Sequence, residues 1–276
     1  MADMLRIIPA ATASLDEVAA AFNAAFEGYF HPMTLTGEQL SRRARFEHLD
    51  IHHSLLAYAA DELAGMALLG LRGEVGWVGG FGITEKYRGR GLAHELMSAL
   101  VEEARACKLR LLTLEVLRQN LAATRLYERA GMRIARELLI FERKSVSGAA
   151  SHTTRLKEGA PAEMLRHFHS LHLQPAAWQR DLPALLVMDG LRALYLGERD
   201  NPEAYALLRE WPGGMTFIVD LAAGASEYAA ALCAGLDHVQ GPLRIINEPE
   251  GSIFNAPLMA HGFVETARQR EMIMAL

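Results

Sequence analysis

The stretch W-V-G-G-F-G-I-T-E-K-Y-R-G-R-G-L-A, Trp77–Ala93, decides the fold. It begins as an apolar, glycine-rich strand and ends as a basic, glycine-rich turn that opens a helix. From there Leu92, Leu96, Leu100 and Ala104 fall on one stripe with Met97 and Val101 beside it, and His94, Glu95, Ser98, Glu102 and Arg105 take the other face. The first backbone N–H groups of such a helix have no intrahelical partner, and the helix dipole adds positive potential there, so the turn suits a phosphate. Gly89 and Gly91 let backbone approach a ligand with no Cβ in the way. Arg88 and Arg90 add charge-assisted donors.

Two common phosphate loops are absent. No G-x-x-x-x-G-K-[ST] run occurs here, and the dinucleotide fingerprint G-x-G-x-x-G fails where His94 stands for the third glycine, as it does at Glu85 when counted from Gly80 and Gly82. What the turn contains is R-x-x-G-x-A, at Arg88, Gly91 and Ala93. Farther on, Leu112, Leu114 and Val116 alternate with Leu111, Thr113 and Glu115 in a strand period, and N-L-A-A-T-R-L-Y-E-R-A-G-M follows from Asn120. Asn120 suits an N-cap, and Ala122, Leu126 and Ala130 make the apolar face of a short helix that Gly131 ends. Asn120 and Tyr127 stand two turns apart and point the same way. These two runs resemble the paired signatures of the GNAT N-acetyltransferases, [Q/R]-x-x-G-x-[G/A] and N-x-x-A-x-x-L-Y-E-x-x-G-[F/M]. They come in the family's order and on the right kinds of element.

The resemblance implies an α/β (α+β) fold built on a mostly antiparallel sheet, with one splayed parallel strand pair that binds CoA. Acetyl-CoA is the implied cosubstrate, and no metal is expected. The pantetheine arm would bond to the backbone of Phe81, Gly82 and Ile83. The diphosphate would lie on the turn Arg88, Gly89, Arg90, Gly91, Leu92, Ala93 and His94, with Asn120 a helix cap that also reaches the cofactor. Acetyl transfer requires a neutral amine, a stabilised oxyanion and a proton for the departing thiolate. Tyr127 is the expected acid; its rival reading is a half-buried helix tyrosine. Glu115 is a carboxylate amid an apolar strand, which is costly without a partner or a task. It shares its L-E-V-x-x-x-N context with the base of ribosomal-protein N-terminal acetyltransferases, and it reads either as general base, directly or through water, or as a structural carboxylate. Tyr29, Phe30 and His31 fall in the loop that lines the acceptor pocket in this family.

The chain of 276 residues has a formal net charge of −5, which disfavours a general nucleic-acid binder, and it has no apolar run of transmembrane length. It starts without a signal-peptide layout, and with two cysteines, Cys107 and Cys233, it reads as a cytoplasmic protein without disulfides. Both cysteines read as small buried hydrophobes. The expected order β-α-α-β-β-β-α-β-α-β-β fills residues 1–144 as the acetyltransferase domain, with strands at Ile134–Ala135 and Leu138–Arg143 closing it. Residues 145–152 read as a linker. Residues 153–276 repeat the scheme as a degenerate GNAT-like domain, with a helix over Pro161–Leu171, a hairpin turning at Asp189–Gly190 and closing strands over Phe263–Ala275. Counted back from Gly262 against Gly131, Leu258 takes the place of Tyr127 and Ile246 that of Glu115, and D-L-A-A-G-A-S has no phosphate turn. Completing the sheet, walling the substrate cleft or pairing two copies are the roles open to this half. His167, His169 and His172 do not share one helix face, which speaks against a metal site. The implied reaction is direct attack by the amine of a small molecule or peptide. A CoA-binding sensor or scaffold without turnover is the alternative, and a nicotinamide-binding domain is disfavoured by His94.

Overall fold

The computed structural model describes residues 5–30, 33–144, 154–211 and 213–276. The chain forms two compact units, one of Met1–Ala135 with Glu271–Leu276 and one of Arg136–Arg270. Among the described residues, no helix is long and apolar enough to cross a membrane.

In the first unit the order is β1 (Leu5–Pro9), α1 (Leu15–Ala25), α2 (Gly37–Glu47), β2 (Leu49–Ala59), β3 (Glu62–Arg72), β4 (Val75–Ile83), α3 (Leu92–Ala106), β5 (Leu111–Leu117) and α4 (Leu121–Arg129). Strands β1 to β4 pair antiparallel in sequence order, β5 joins β4 in parallel, and the end of β12 (Val264–Ala275) supplies the unit's last strand. Capping boxes start both early helices, Ser14 with Glu17 and Thr36 with Gln39. Leu96, Leu100 and Leu112 are fully buried in one core with Val116, Tyr127, Met272 and Met274. Phe22 and Ala25 of α1 come against the opposite side of β4 at Gly80 and Gly82. A Cβ on Gly82 would lie 2.9 Å from that of Ala25, so this glycine is required for close helix–sheet packing.

The second unit holds most of β6 (Arg133–Arg143), then β7 (Lys157–Gly159), α5 (Pro161–Leu165), α6 (Phe168–Leu171), α7 (Leu182–Leu186), β8 (Leu191–Glu198), β9 (Asn201–Glu210), β10 (Thr216–Ala223), α8 (Ser226–Gly235), β11 (Leu243–Pro249), α9 (Asn255–Ala260) and the first part of β12. Its sheet runs β12-β6-β11-β10-β9-β8-β7, with β10 and β11 its parallel pair. The scheme of the first unit thus recurs, including a parallel pair that ends early.

Several expectations are corrected. The two short closing strands are one, Arg133–Arg143. Its polar centre continues because Glu137 pairs with Arg270 and Arg136 donates to the Pro175 carbonyl. Phe263–Ala275 likewise gives the single strand β12. The helix over Pro161–Leu171 is split into α5 and α6. The turn at Gly190 exists (φ 73°), but the arm before it is helical, since Asp181 caps α7 and Pro183 sits in its first turn. The hairpin is formed instead by β8 and β9, the latter missed in the sequence. Both units reach across residue 144 as the sequence divides the chain, because β6 and the end of β12 fall in the unit opposite to their sequence half. The expected linker, 145–152, lies outside the described residues.

Candidate active site

The parallel register of β4 on β5 runs Val75↔Leu111, Gly76↔Leu112 and Trp77↔Thr113 and then stops, although β4 continues to Ile83 and β5 to Leu117. The cause lies in β4 itself. Its register against β3 slips between Leu68↔Gly80 and Leu69↔Val78, leaving Gly79 as a bulge. A bulge bends a strand and increases its twist, which carries the second half of β4 away from β5. The Gly79 carbonyl is not wasted: Arg43 donates to it at 2.6 Å and also spans the Phe22 ring. Glu47 holds Arg43 in turn. Burial pushes the Glu47 carboxyl up, and the Arg43 charge and hydrogen bond offset part of that.

After β4, a 3-10 turn at Glu85–Tyr87 leads to the basic turn. Gly89 (φ 75°) and Gly91 (φ 86°) are both left-handed, and Gly91 is the N-cap of α3. A Cβ at either glycine would meet nothing within 4 Å. The left-handed φ and the open space together leave bare backbone at a helix N-terminus, with Leu92, Ala93 and His94 as its first turn. This cradle fits a diphosphate. Arg90 lies over the Tyr87 ring, and Tyr87 donates to Glu62 at 3.0 Å.

Arg88 is placed differently from the sequence reading. Its guanidinium is turned into the fold, donating to the carbonyls of Ile83 (3.0 Å), Ala25 (3.2 Å) and Glu27 (2.8 Å). It ties the end of β4 and the C-terminus of α1 together, where carbonyls carry the negative end of the helix dipole. Of the backbone expected to receive pantetheine, Phe81 and Gly82 lie on the part of β4 past the end of the parallel pairing, while the Ile83 carbonyl is taken by Arg88.

Tyr127 and Asn120 come from the helix on the other side of the gap. Asn120 Oδ1 accepts from the Ala123 N–H at 3.2 Å, the expected cap. Tyr127 is buried, edge-on to Phe81 at 6.0 Å between ring centroids. Burial raises its phenol above the ordinary tyrosine range, with the nearby Tyr29 adding to the shift, so the group is kept protonated. Tyr29 arrives from the loop after α1 and hydrogen-bonds to the Asn120 side chain; burial raises its phenol too, and that bond counters part of the rise. Its neighbour Phe30 packs edge-on to it and stays half exposed, and His31 lies outside the described residues.

Glu115 points the other way. Leu112, Leu114 and Val116 belong to the core that holds Tyr127, so Glu115, one step out of phase, faces the opposite side of β5. There its Oε2 accepts from the indole N–H of buried Trp77 at 2.7 Å. The two expected catalytic groups therefore flank the gap from opposite faces of the sheet. Nothing in the sequence signalled the Trp77 partner, which lies 38 positions away on the neighbouring strand.

A sheet with a bulge-splayed parallel pair, a bare glycine cradle on one lip and a capped Asn–Tyr helix on the other has close counterparts. Residues 16–132 match the model of the acetyltransferase (GNAT) family. Over the whole chain the fold is similar to a GCN5-related N-acetyltransferase from Sphaerobacter thermophilus, at 14% identity and a TM-score of 0.70, covering 98% of this chain and 95% of that one. It is equally similar to a tandem GNAT protein from the clavulanic acid biosynthesis pathway, at 15% identity and a TM-score of 0.70, covering 99% and 98% of the two chains. No curated protein matches the sequence. The class is that of the acyltransferases that draw on CoA thioesters. The GNAT family model covers residues 16–132 of the first half, and the whole length is similar in fold to the tandem GNAT protein.

Proposed function

We propose that the first unit is an N-acetyltransferase that moves acetyl from acetyl-CoA to the amine of a small molecule or peptide by direct attack. The observation that carries this reading is the gap itself. The pairing of β4 with β5 ends at Trp77↔Thr113, the cradle of Gly89 and Gly91 opens on one side, and the Asn120–Tyr127 helix lies on the other. The cosubstrate supplies an activated thioester. Gly89 to His94 bind its diphosphate through backbone N–H groups, and Phe81 and Gly82 offer the free edge of β4 to its arm. Glu115, on the opposite face, takes a proton from the incoming ammonium, directly or through water. The amine nitrogen then forms its bond to the carbonyl carbon as the carbon–sulfur bond breaks. Tyr127 gives its proton to the departing sulfur, and the proton that the new amide nitrogen sheds restores the phenol. A raised phenol is a weaker acid, but a thiolate leaving into the same apolar surroundings is itself raised and takes up the proton more readily. The second unit has no counterpart of the glycine cradle and takes a supporting role. We place the protein in the cytoplasm.

Acetyl-CoA should raise the melting temperature of the full chain, and NADH should not. Release of free thiol from acetyl-CoA, followed across a panel of amines, should identify the acceptor class. Tyr127→Phe should lower kcat by roughly a hundredfold or more while acetyl-CoA binding stays nearly unchanged. Unchanged turnover removes the acid assignment. Stabilisation by acetyl-CoA with no thiol release for any amine would favour the sensor or scaffold reading instead.

A further inference from the structure

Away from the gap, three side chains with different chemistry meet between β2 and the last turn of α3. His53 comes from β2, and Glu103 and Cys107 stand at i and i+4 on α3 and its C-cap, so they share one helix face. One ligand atom from each lies within 4.8 Å of the others, and His53 Nδ1 is 2.6 Å from Glu103 Oε1. The strand is shaped to aim His53 there. The register of β2 on β3 slips between Asp50 and Leu55, and Ser54 replaces the lost ladder bond by accepting from the Leu69 N–H at 3.0 Å. Asp50 Oδ1 accepts from the N–H groups of His52 and His53 at 2.8 and 3.3 Å, which holds the irregular segment in place. Such bulges re-aim side chains.

We propose that His53, Glu103 and Cys107 form a zinc site, with the fourth position left to water. Cysteine, histidine and carboxylate are the donor types of zinc, and a thiolate with an imidazole argues against magnesium or calcium. The charges balance: one thiolate and one carboxylate neutralise Zn²⁺, and the imidazole binds neutral. Zinc bonds of about 2.0–2.3 Å set tetrahedral ligand separations of about 3.3–3.8 Å. His53 and Glu103 must open by somewhat under an ångström, and a pair at the 4.8 Å limit must close by about 1 Å, within reach of partly exposed side chains. On binding, the Cys107 thiol forms its bond to zinc and loses its proton to solvent, so affinity rises with pH.

A rival reading makes the same three groups an activated nucleophile. The surroundings oppose it: burial, Glu103 and Asp50 all raise the Cys107 thiol, whereas a reactive cysteine needs a positive setting. The site would pin the end of α3 to β2.

The test uses the full chain without a histidine tag, stripped with a chelator and titrated with Co²⁺ under reducing, anaerobic conditions. One equivalent should produce the visible bands of a tetrahedral ion and a near-ultraviolet thiolate-to-metal band, both removed by Zn²⁺. Cys107→Ser should abolish the thiolate band. His53→Gln and Glu103→Gln should each weaken Zn²⁺ binding by roughly tenfold or more. A Co²⁺ spectrum without a thiolate band, or Zn²⁺ affinity unchanged in both His53→Gln and Glu103→Gln, overturns the site. None of these readouts passes through acetyl transfer, so either result leaves the proposed activity where it stands.

Discussion

Arg88 shows how a motif residue can be read correctly in kind and wrongly in direction. Its place beside a glycine turn argues for a phosphate contact, yet its guanidinium is satisfied by three carbonyls that hold β4 to the end of α1. The loop that follows α1 carries Tyr29, which reaches Asn120. Arg88 therefore positions the loop after α1, and on the proposed reading the diphosphate is left to backbone. Arg88→Ala should raise KM for the amine several-fold and cost about 1–2 kcal/mol of stability. The acetyl-CoA dissociation constant should change far less. Steady-state kinetics and a denaturant midpoint check this; a large loss of acetyl-CoA affinity with unchanged stability would put the guanidinium back on the phosphates. The glycines divide in the same way. On the proposed reading Gly89 and Gly91 serve a ligand, whereas Gly80 and Gly82 make room for α1.

Between elements, the instructive comparison is of the two parallel pairs. In the second unit, β10 and β11 pair only from Thr216↔Leu243 to Ile218↔Ile245, and β10 is bulged just beyond, as β4 is. Taken from the last parallel pair, Asn247 rather than Ile246 holds the place of Glu115, because the count back from Gly262 passes an irregularity in β11. Here charged side chains bridge the gap and line a small cavity beside it. Arg180 donates to Glu248 at 2.5 Å and to the Asn247 carbonyl at 3.2 Å, and its other nitrogen is 3.6 Å from Asp220. Asp220 is fully buried and also accepts from Tyr205. A guanidinium thus bridges β10 and β11 just past the end of their parallel pairing. His172 joins this cluster, its Nε2 3.1 Å from Asp220 and its Nδ1 2.9 Å from the Phe168 carbonyl. A carbonyl and a carboxylate oxygen on the two ring nitrogens favour the imidazolium form. Burial and the Arg180 charge act against that form, but Asp220 and the carbonyl outweigh them and the pKa is raised. A raised folded pKa gives stability that is complete below the unfolded value near ~6.5 and is lost as pH climbs through the folded one. Chemical unfolding should therefore show the second unit losing stability toward alkaline pH, and His172→Gln should flatten that dependence. A profile identical in the variant would remove His172 from it.

Across the molecule, six residues at the end of the chain, Glu271–Leu276, belong to the first unit. Met272 and Met274 are buried in its core, Met274 lies against Gly131, and the Leu276 N–H donates to the Arg110 carbonyl at 3.1 Å. Burial of two methionines is worth roughly 3–6 kcal/mol. Removing residues 271–276 should therefore destabilise the acetyltransferase unit by several kcal/mol and lower acetyl-CoA binding with it, seen as a lower denaturant midpoint. A truncated chain with an unchanged midpoint would detach that strand from the core.

Read alone, the sequence determined the glycine turn at the start of α3, the Asn120–Tyr127 helix, a GNAT domain in the first half and the presence of a worn second copy, because each is written in contiguous residues: a glycine at a left-handed φ, a cap, a helical stripe. Only the tertiary structure decided where Arg88 points, that Trp77 holds Glu115, that Arg180 bridges Asp220 and Glu248, which unit owns each closing strand, and that His53 meets Glu103 and Cys107. Those facts rest on contacts between residues far apart in the chain, which a local pattern cannot encode and a folded sheet brings within hydrogen-bond reach.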